Sequence, residues 1–299
     1  MQPSAAMNTA SAAAPSSPPG HQLNQAETHK LLGNIQIPPQ PEIVRAIIIE
    51  RNSDDPDIQR IARLISKDVG LSAAVLKAIN SPYYGLRNKV GSIMHAASLL
   101  GMKNIGTLVM GLALRACSPV AGMERYWESA SRSAQLAGLL ARRLVLGNAE
   151  DAHLYTLFHD SAMPLLMQRF PEYRQTMLDI AGLGWAEVTA HEDARHSTNH
   201  ATVGGLLASN WGLPEHIRAA ITLHHDITVF TDDKLPRNVV DLIAIGHIAE
   251  RVENALSQQM NDSAWEEFGT SCHHHLLLGE EELQDFIDSA KELFGMDGY

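Results

Sequence analysis

Residues 153–170 read HLYTLFHDSAMPLLMQRF. Leu154, Leu157 and Phe158 place apolar side chains on one side of a helix predicted to start near Glu150. His159 and Asp160 then stand side by side in that apolar run. Successive helical residues point about 100° apart. The pair can therefore reach one point from two sides, as two ligands of a single ion would. Neutral imidazole with carboxylate suits Zn, Fe or Mn better than Mg or Ca. The competing reading is local satisfaction: His159 bonds a backbone carbonyl and Asp160 caps or pairs nearby, as buried polar groups usually do. Met163 precedes Pro164, which disfavours the helical region, so the helix is expected to break there. Pro164 then suits the first turn of a following helix.

Outward from this stretch the pattern is helical everywhere it is regular. Toward the N-terminus, a helix is predicted from Glu42 to Arg51. In the next, Ile58, Ile61, Ala62 and Ile65 recur at one-face spacing, with Gly70 as its stop. Leu71–Asn80 follows, halted by Ser81-Pro82. Ser92 caps a helix striped by Ile93, Ala96, Ala97 and Leu100, which Gly101 ends. Residues 118–122 read SPVAG and mark a boundary. A long helix from Met123 to Leu146 comes next, with Gly147 as its stop. Beyond the doublet, helices are predicted from Pro171, from Trp185, from a cap at Asn199 or Thr198 to Gly212, from Pro214 to His224, from Val239 to Leu256, and over 263–275 and 280–294. No run alternates at period two. The expected class is all-α, with a flexible tail at 1–30, an N-terminal helical half at 31–118, a second helical half at 123–260 and closing helices at 261–299. The tail is Ala-, Ser- and Pro-rich and too poor in bulky apolar residues to offset its ordering entropy.

Composition narrows the function classes. The chain has 299 residues and is 45% hydrophobic, enough for one large domain or two modest ones. A net charge of −11 argues against nucleic acid and against an anionic membrane surface as partners. The longest apolar run, Ile105–Ala116, is too short to span a bilayer and contains glycine. Two cysteines, Cys117 and Cys272, imply no disulfide framework, and a reducing cytoplasm is expected.

Further candidate ligands surround the doublet in sequence. His200 starts a helix that docks through Val203 and Leu207. His224 and His225 close a core helix just before Asp226. Each alone reads as a satisfied core or capping histidine. Together with His159 and Asp160 they make the donor set of a helical metal pocket for one divalent transition ion. HEDARH at 191–196 imitates a zincin motif, but its histidines are five apart rather than four and leave a common face. His273-His274-His275 reads as a solvated surface run.

These residues resemble a known family. LSAAVLKAINSPYYGL at 71–86 and VGSIMHAASLLGMKNIGTLVMGLAL at 90–114 are similar to the N-terminal half of the HDOD domain, an HD-related output domain of bacterial signalling proteins. Tyr126-Trp127, LFHD at 157–160, NHATVGGLLASNWGLPEHI at 199–217 and HHD at 224–226 resemble its second half. The resemblance implies an N-terminal helical subdomain followed by a degenerate HD-type bundle. Against the wider HD superfamily, His159, Asp160, His200 and the His224-His225 pair match metal-site positions. Ser129 falls where an early histidine belongs. The late aspartate falls near Gly246-His247 and is absent or replaced. Met163 stands in place of the lysine that follows the doublet in HD-GYP enzymes.

What the resemblance implies is a non-catalytic regulatory module that binds a signalling protein partner. The alternative is a metal-dependent phosphohydrolase, of cyclic-nucleotide or nucleotide phosphodiesterase type, in which His247 replaces the late aspartate. Two lost corners weigh against a two-ion clamp, which phosphoryl chemistry often needs.

Overall fold

A computed structural model describes residues 35–146, 149–258 and 262–295. The expected tail at 1–30 and the Gly147 stop lie outside them. Among the described residues every regular element is helical. The N-terminal elements are α1 (Glu42–Arg51), α2 (Ile58–Ser66), α3 (Val69–Ile79) and α4 (Ile93–Cys117). Asp57, Asp68 and Ser92 accept hydrogen bonds from the first-turn amides of α2, α3 and α4, contacts worth about 1 kcal/mol each. Gly70 does not stop α2. Asp68 starts α3 two residues earlier than Gly70 would allow, because a carboxylate cap outweighs one glycine in the first turn.

α4 is the spine of this half and packs on α1, α2 and α3. Its 25 residues are apolar enough, by length and composition, to cross a membrane, longer than the Ile105–Ala116 run suggested. Gly101, at φ +75°, interrupts it with a conformation only glycine adopts freely. Ile105, Val109 and Leu114 on its far side of that break are buried in the protein.

The second half comprises α5 (Glu124–Arg143), α6 (Ala149–Phe158), α7 (Met163–Arg169), α8 (Tyr173–Ile180), α9 (Trp185–His196), α10 (His200–Asn210), α11 (Glu215–Leu223), a 3-10 turn at Ile227–Phe230, α12 (Arg237–Leu256), α13 (Asp262–Leu276) and α14 (Glu280–Phe294). α12 is its hub and touches α5, α6, α11, α13 and α14. Ile243, Ile248 and Val252 are fully buried on it; burying each such side chain contributes roughly 1.5–3 kcal/mol. α6 lies against α5, α11 and α12, and against α4 of the first half. The extended segment before α1 reaches the second half as well. Pro38 O accepts from Trp211 Nε1 at 3.0 Å, and Gln40 Nε2 donates to Trp211 O at 2.6 Å.

One break falls elsewhere than the proline predicts. α6 ends at Phe158, and Met163 is already the first residue of α7, with Pro164 in its first turn. Residues 159–162 form the turn between them. The doublet thus sits at a helix end and not on a continuous face.

Candidate metal centre

Three elements bring the ligands together. α6 delivers His159 and Asp160 at its C-terminal turn, where His159 N still bonds Tyr155 O at 2.9 Å. α10 begins with His200 behind its cap, Asn199, whose side chain accepts from Thr202 N at 2.8 Å. α11 ends at Leu223, so His224 and His225 follow in its exit turn. α10 crosses close to the doublet because of Gly204. A Cβ there would stand 3.2 Å from His159 O and 3.1 Å from an Ile221 methyl. Asp226 takes no part in the centre: it caps the 3-10 turn through Thr228 N at 2.9 Å.

His200 Nε2 lies 3.2 Å from Asp160 Oδ1, 3.2 Å from His224 Nε2 and 3.0 Å from His225 Nε2. His224 Nε2 is 3.5 Å from the same Asp160 oxygen. The tautomers follow from the outer partners. His200 Nδ1 donates to Glu192 Oε2 at 2.6 Å, and His224 Nδ1 donates to Ile221 O at 2.7 Å. In the neutral ring each Nε2 is then a bare lone pair. Lone pairs and a carboxylate oxygen aimed at one point are what a cation satisfies. Asp160 Oδ1 and His225 Nδ1 are buried without a hydrogen-bond partner. The donor set Asp160, His200, His224 and His225 fits a divalent transition ion.

Glu192 is the outer support. It is fully buried. It accepts from His200 Nδ1, from His200 N at 3.1 Å and, through a short bond, from Tyr173 OH. A carboxylate behind a ligating imidazole fixes its ring and raises its basicity. Burial pushes His200 down, yet Glu192 and Asp160 outweigh it and hold the ring up at about 10. Burial takes His224 down to about 4 and His225 well below its ordinary value, so both are neutral ligands near neutral pH.

His159 belongs to a second cluster with Asp160 and Glu250. Its Nδ1 donates to Thr156 O at 2.7 Å, as the local reading of the doublet expects. Its Nε2 donates to Glu250 Oε1 at 2.6 Å and stands 3.4 Å from Asp160 Oδ2. Burial opposes the charged ring, but Asp160 and Glu250 raise it to about 9. Burial likewise opposes the Glu250 carboxylate, and His159 draws it down to about 2.

Glu250, which the sequence did not single out, puts a carboxylate beside the doublet. It lies one turn beyond His247 on α12. His247 does not stand in for the late aspartate: its Nε2 donates to His224 O at 2.8 Å, and its ring stacks on Trp185 at 4.0 Å. The Ser129 hydroxyl donates to Glu253 Oε1 at 2.9 Å. Glu192 comes from the HEDARH stretch set aside above. The His273–His275 run is less solvated than expected: His275 bonds Asp241 at 2.8 Å and His273 Nδ1 donates to Leu278 O at 2.6 Å.

Two small cavities flank the doublet. One, about 200 Å³, runs from Asp160, His224, His225 and Glu250 to apolar walls including Met163 and Trp185. The other, about 170 Å³, is bordered by His159, Glu250 and Glu253. Neither is lined by lysine or arginine.

Comparison with known proteins agrees with this architecture. A model of the HDOD domain matches residues 37–227. An uncharacterized protein from Treponema pallidum (strain Nichols) is 24% identical over 76% of this chain, which spans 45% of that relative's length. The crystal structure of a candidate phosphohydrolase from Shewanella amazonensis SB2B matches with a TM-score of 0.67 at 21% identity, over 89% of this chain and 94% of that one. An HDOD domain protein of unknown function from Geobacter sulfurreducens matches at 0.63 and 21% identity, over 89% of this chain and 96% of its own. At such identities the likeness shows the fold.

Proposed function

The chain belongs to the HDOD domain family, and from that membership we propose that it is a non-catalytic signal-transduction module that acts by binding a protein partner. In this reading the cluster of Asp160, His200, His224 and His225 holds a single divalent transition ion with a structural task. Such an ion would supply the positive charge that ties the 159–162 turn, the start of α10 and the end of α11 together.

The observation that carries the reading is the state of the other corner. His159 is engaged by Glu250 at 2.6 Å, and the nearby Ser129 hydroxyl on α5 is spent on Glu253. The imidazolium supplies locally the charge a second ion would bring. Size supports the same conclusion. Ligand pockets commonly measure about 300–1,000 Å³, whereas the cavity at the cluster measures about 200 Å³. Glu250 would repel a phosphate diester there, and no lysine or arginine lines the cavity to hold one.

A second reading, a metal-dependent phosphohydrolase, draws on Asp160, whose carboxylate is shared by both clusters. Elemental analysis and a phosphodiesterase assay separate the two. The purified chain is expected to retain a single transition ion per molecule and to leave bis(4-nitrophenyl) phosphate and cyclic dinucleotides intact. Two ions per chain, with turnover abolished by Asp160→Ala, would overturn the proposal in favour of the hydrolase.

A further inference from the structure

A large cavity lies away from the metal centre. It measures about 960 Å³ and opens where α3 and α4 face α5, within the range of about 300–1,000 Å³ typical of small-molecule sites. Tyr83 and Trp127 give it aromatic surface. Lys77 on α3 and Arg115 on α4 line it, both exposed and both without a counter-ion among the described residues. Ser81 and Ser118 line it too, and each hydroxyl is buried with no hydrogen-bond partner. Buried hydroxyls are ordinarily satisfied, so two at one cavity ask for an explanation.

The acidic groups of the lining stand on a different wall from the basic ones. Arg132 pairs with Glu253 at 2.7 Å and also feels the charge of Glu128. That pair joins α5 to α12, which leaves Lys77 and Arg115 facing Glu124 and Glu128. The unpaired positive groups come from α3 and α4 and both negative groups from α5, so the charges are separated across the cleft. An anion is favoured on the α3–α4 side, with an apolar body toward Trp127.

We propose that this cleft binds a small organic anion carrying a planar aromatic body. Lys77 and Arg115 hold the anionic group, the two serine hydroxyls find their missing partners on the ligand, and Tyr83 and Trp127 cover the ring. The site shares none of the metal centre's ligands, so it stands or falls independently of the function proposed above.

A matched pair of fluorescent dyes tests it on the full chain: 1-anilinonaphthalene-8-sulfonate, an aromatic anion, and N-phenyl-1-naphthylamine, its uncharged counterpart. The sulfonate is expected to bind saturably and more tightly than the amine. Lys77→Ala with Arg115→Ala should weaken the sulfonate by roughly tenfold or more, the scale of a lost charge-assisted hydrogen bond, and leave the amine unchanged. Glu124→Gln should tighten the sulfonate. These side chains are exposed, and unchanged melting temperatures will show that the variants fold. Equal affinity for the two dyes, or a sulfonate affinity unmoved in the double variant, would overturn the proposal and assign the cleft to an apolar protein segment.

Discussion

His159 Nε2 and Glu250 Oε1 are 2.6 Å apart, and the bond joins the turn after α6 to the middle of α12. Both side chains are largely buried, at 8% and 21% exposure. Removing one partner of a buried pair strands the other, at a cost of about 3–5 kcal/mol when the charge cannot escape. His159 can deprotonate, so Glu250→Gln is expected to cost less, about 1–3 kcal/mol. Adding His159→Gln should recover part of that loss. The sign with pH is fixed by both partners. Glu250 is held at about 2, so its contribution is present above the ordinary carboxylate range and lost as pH falls toward 2. His159 is held at about 9, so its contribution is full below 6.5 and lost as pH rises through 9. Denaturant unfolding of the chelated protein should therefore show the largest difference between wild type and Glu250→Gln near pH 5–6. A difference that grows above pH 9 would refute the pair.

Glu192 touches only His200 among the four ligands of the cluster, yet it governs that ligand's basicity. Glu192→Gln keeps the shape and removes the charge. It is expected to lower affinity for Zn or Mn by about 10–100-fold, measured by competition with a chelator. Because His200 is held protonated up to about 10, loading an ion at neutral pH should release a proton from it. Affinity should rise with pH, and less steeply in Glu192→Gln. An affinity unchanged by the substitution would show that Glu192 serves Tyr173 and not the cluster.

Much of this was legible in the residues. The helical periodicity, the caps at Ser92 and Asn199 and the grouping of His200, His224 and His225 with the doublet all follow from local pattern. The error at Met163 arose because a proline weighs on its predecessor only locally. Here α6 ends five residues before Met163, where the packing of Tyr155 and Phe158 stops and the polar doublet begins. Glu250 was missed because one acid on an apolar helix carries no motif; its distance of one turn from His247 was the available signal. Glu192 is hidden in HEDARH because histidine spacing decides a zincin motif, whereas here it is the glutamate between the histidines that meets His200. Contacts between distant segments, such as Trp211 with Pro38, leave no trace in local periodicity.

Gly246 marks a tight crossing between α12 and α6. A Cβ there would lie 2.6 Å from Tyr155 Cε1, and Tyr155 is itself only 1% exposed. The ring has nowhere to retreat. Gly246→Ala is expected to cost about 1–3 kcal/mol by overpacking, read as a lowered denaturation midpoint. Tyr155→Phe in the same background should rescue little, because the ring edge and not the hydroxyl makes the closest approach. Stability equal to wild type would mean that α12 can shift away from α6 without loss.

His153 offers an acid-side test at a residue outside the metal centre's ligands. Burial pushes it down to about 4, and the Arg142 charge acts the same way, against a backbone bond to Ala134. The ring is therefore neutral in the folded chain and protonates in the unfolded one first. A depressed histidine contributes stability that is present above its ordinary pKa and is lost as pH falls from about 6.5 toward 4. The chelated wild type should lose stability over that interval more steeply than His153→Gln, which cannot take up the proton. His224 and His225 are depressed as well, so the informative quantity is the difference between the two chains and not either slope alone. Parallel curves from pH 7 to 4 would show that His153 is hydrated in the folded protein, and that the α5–α6 contact around it is looser than its burial implies.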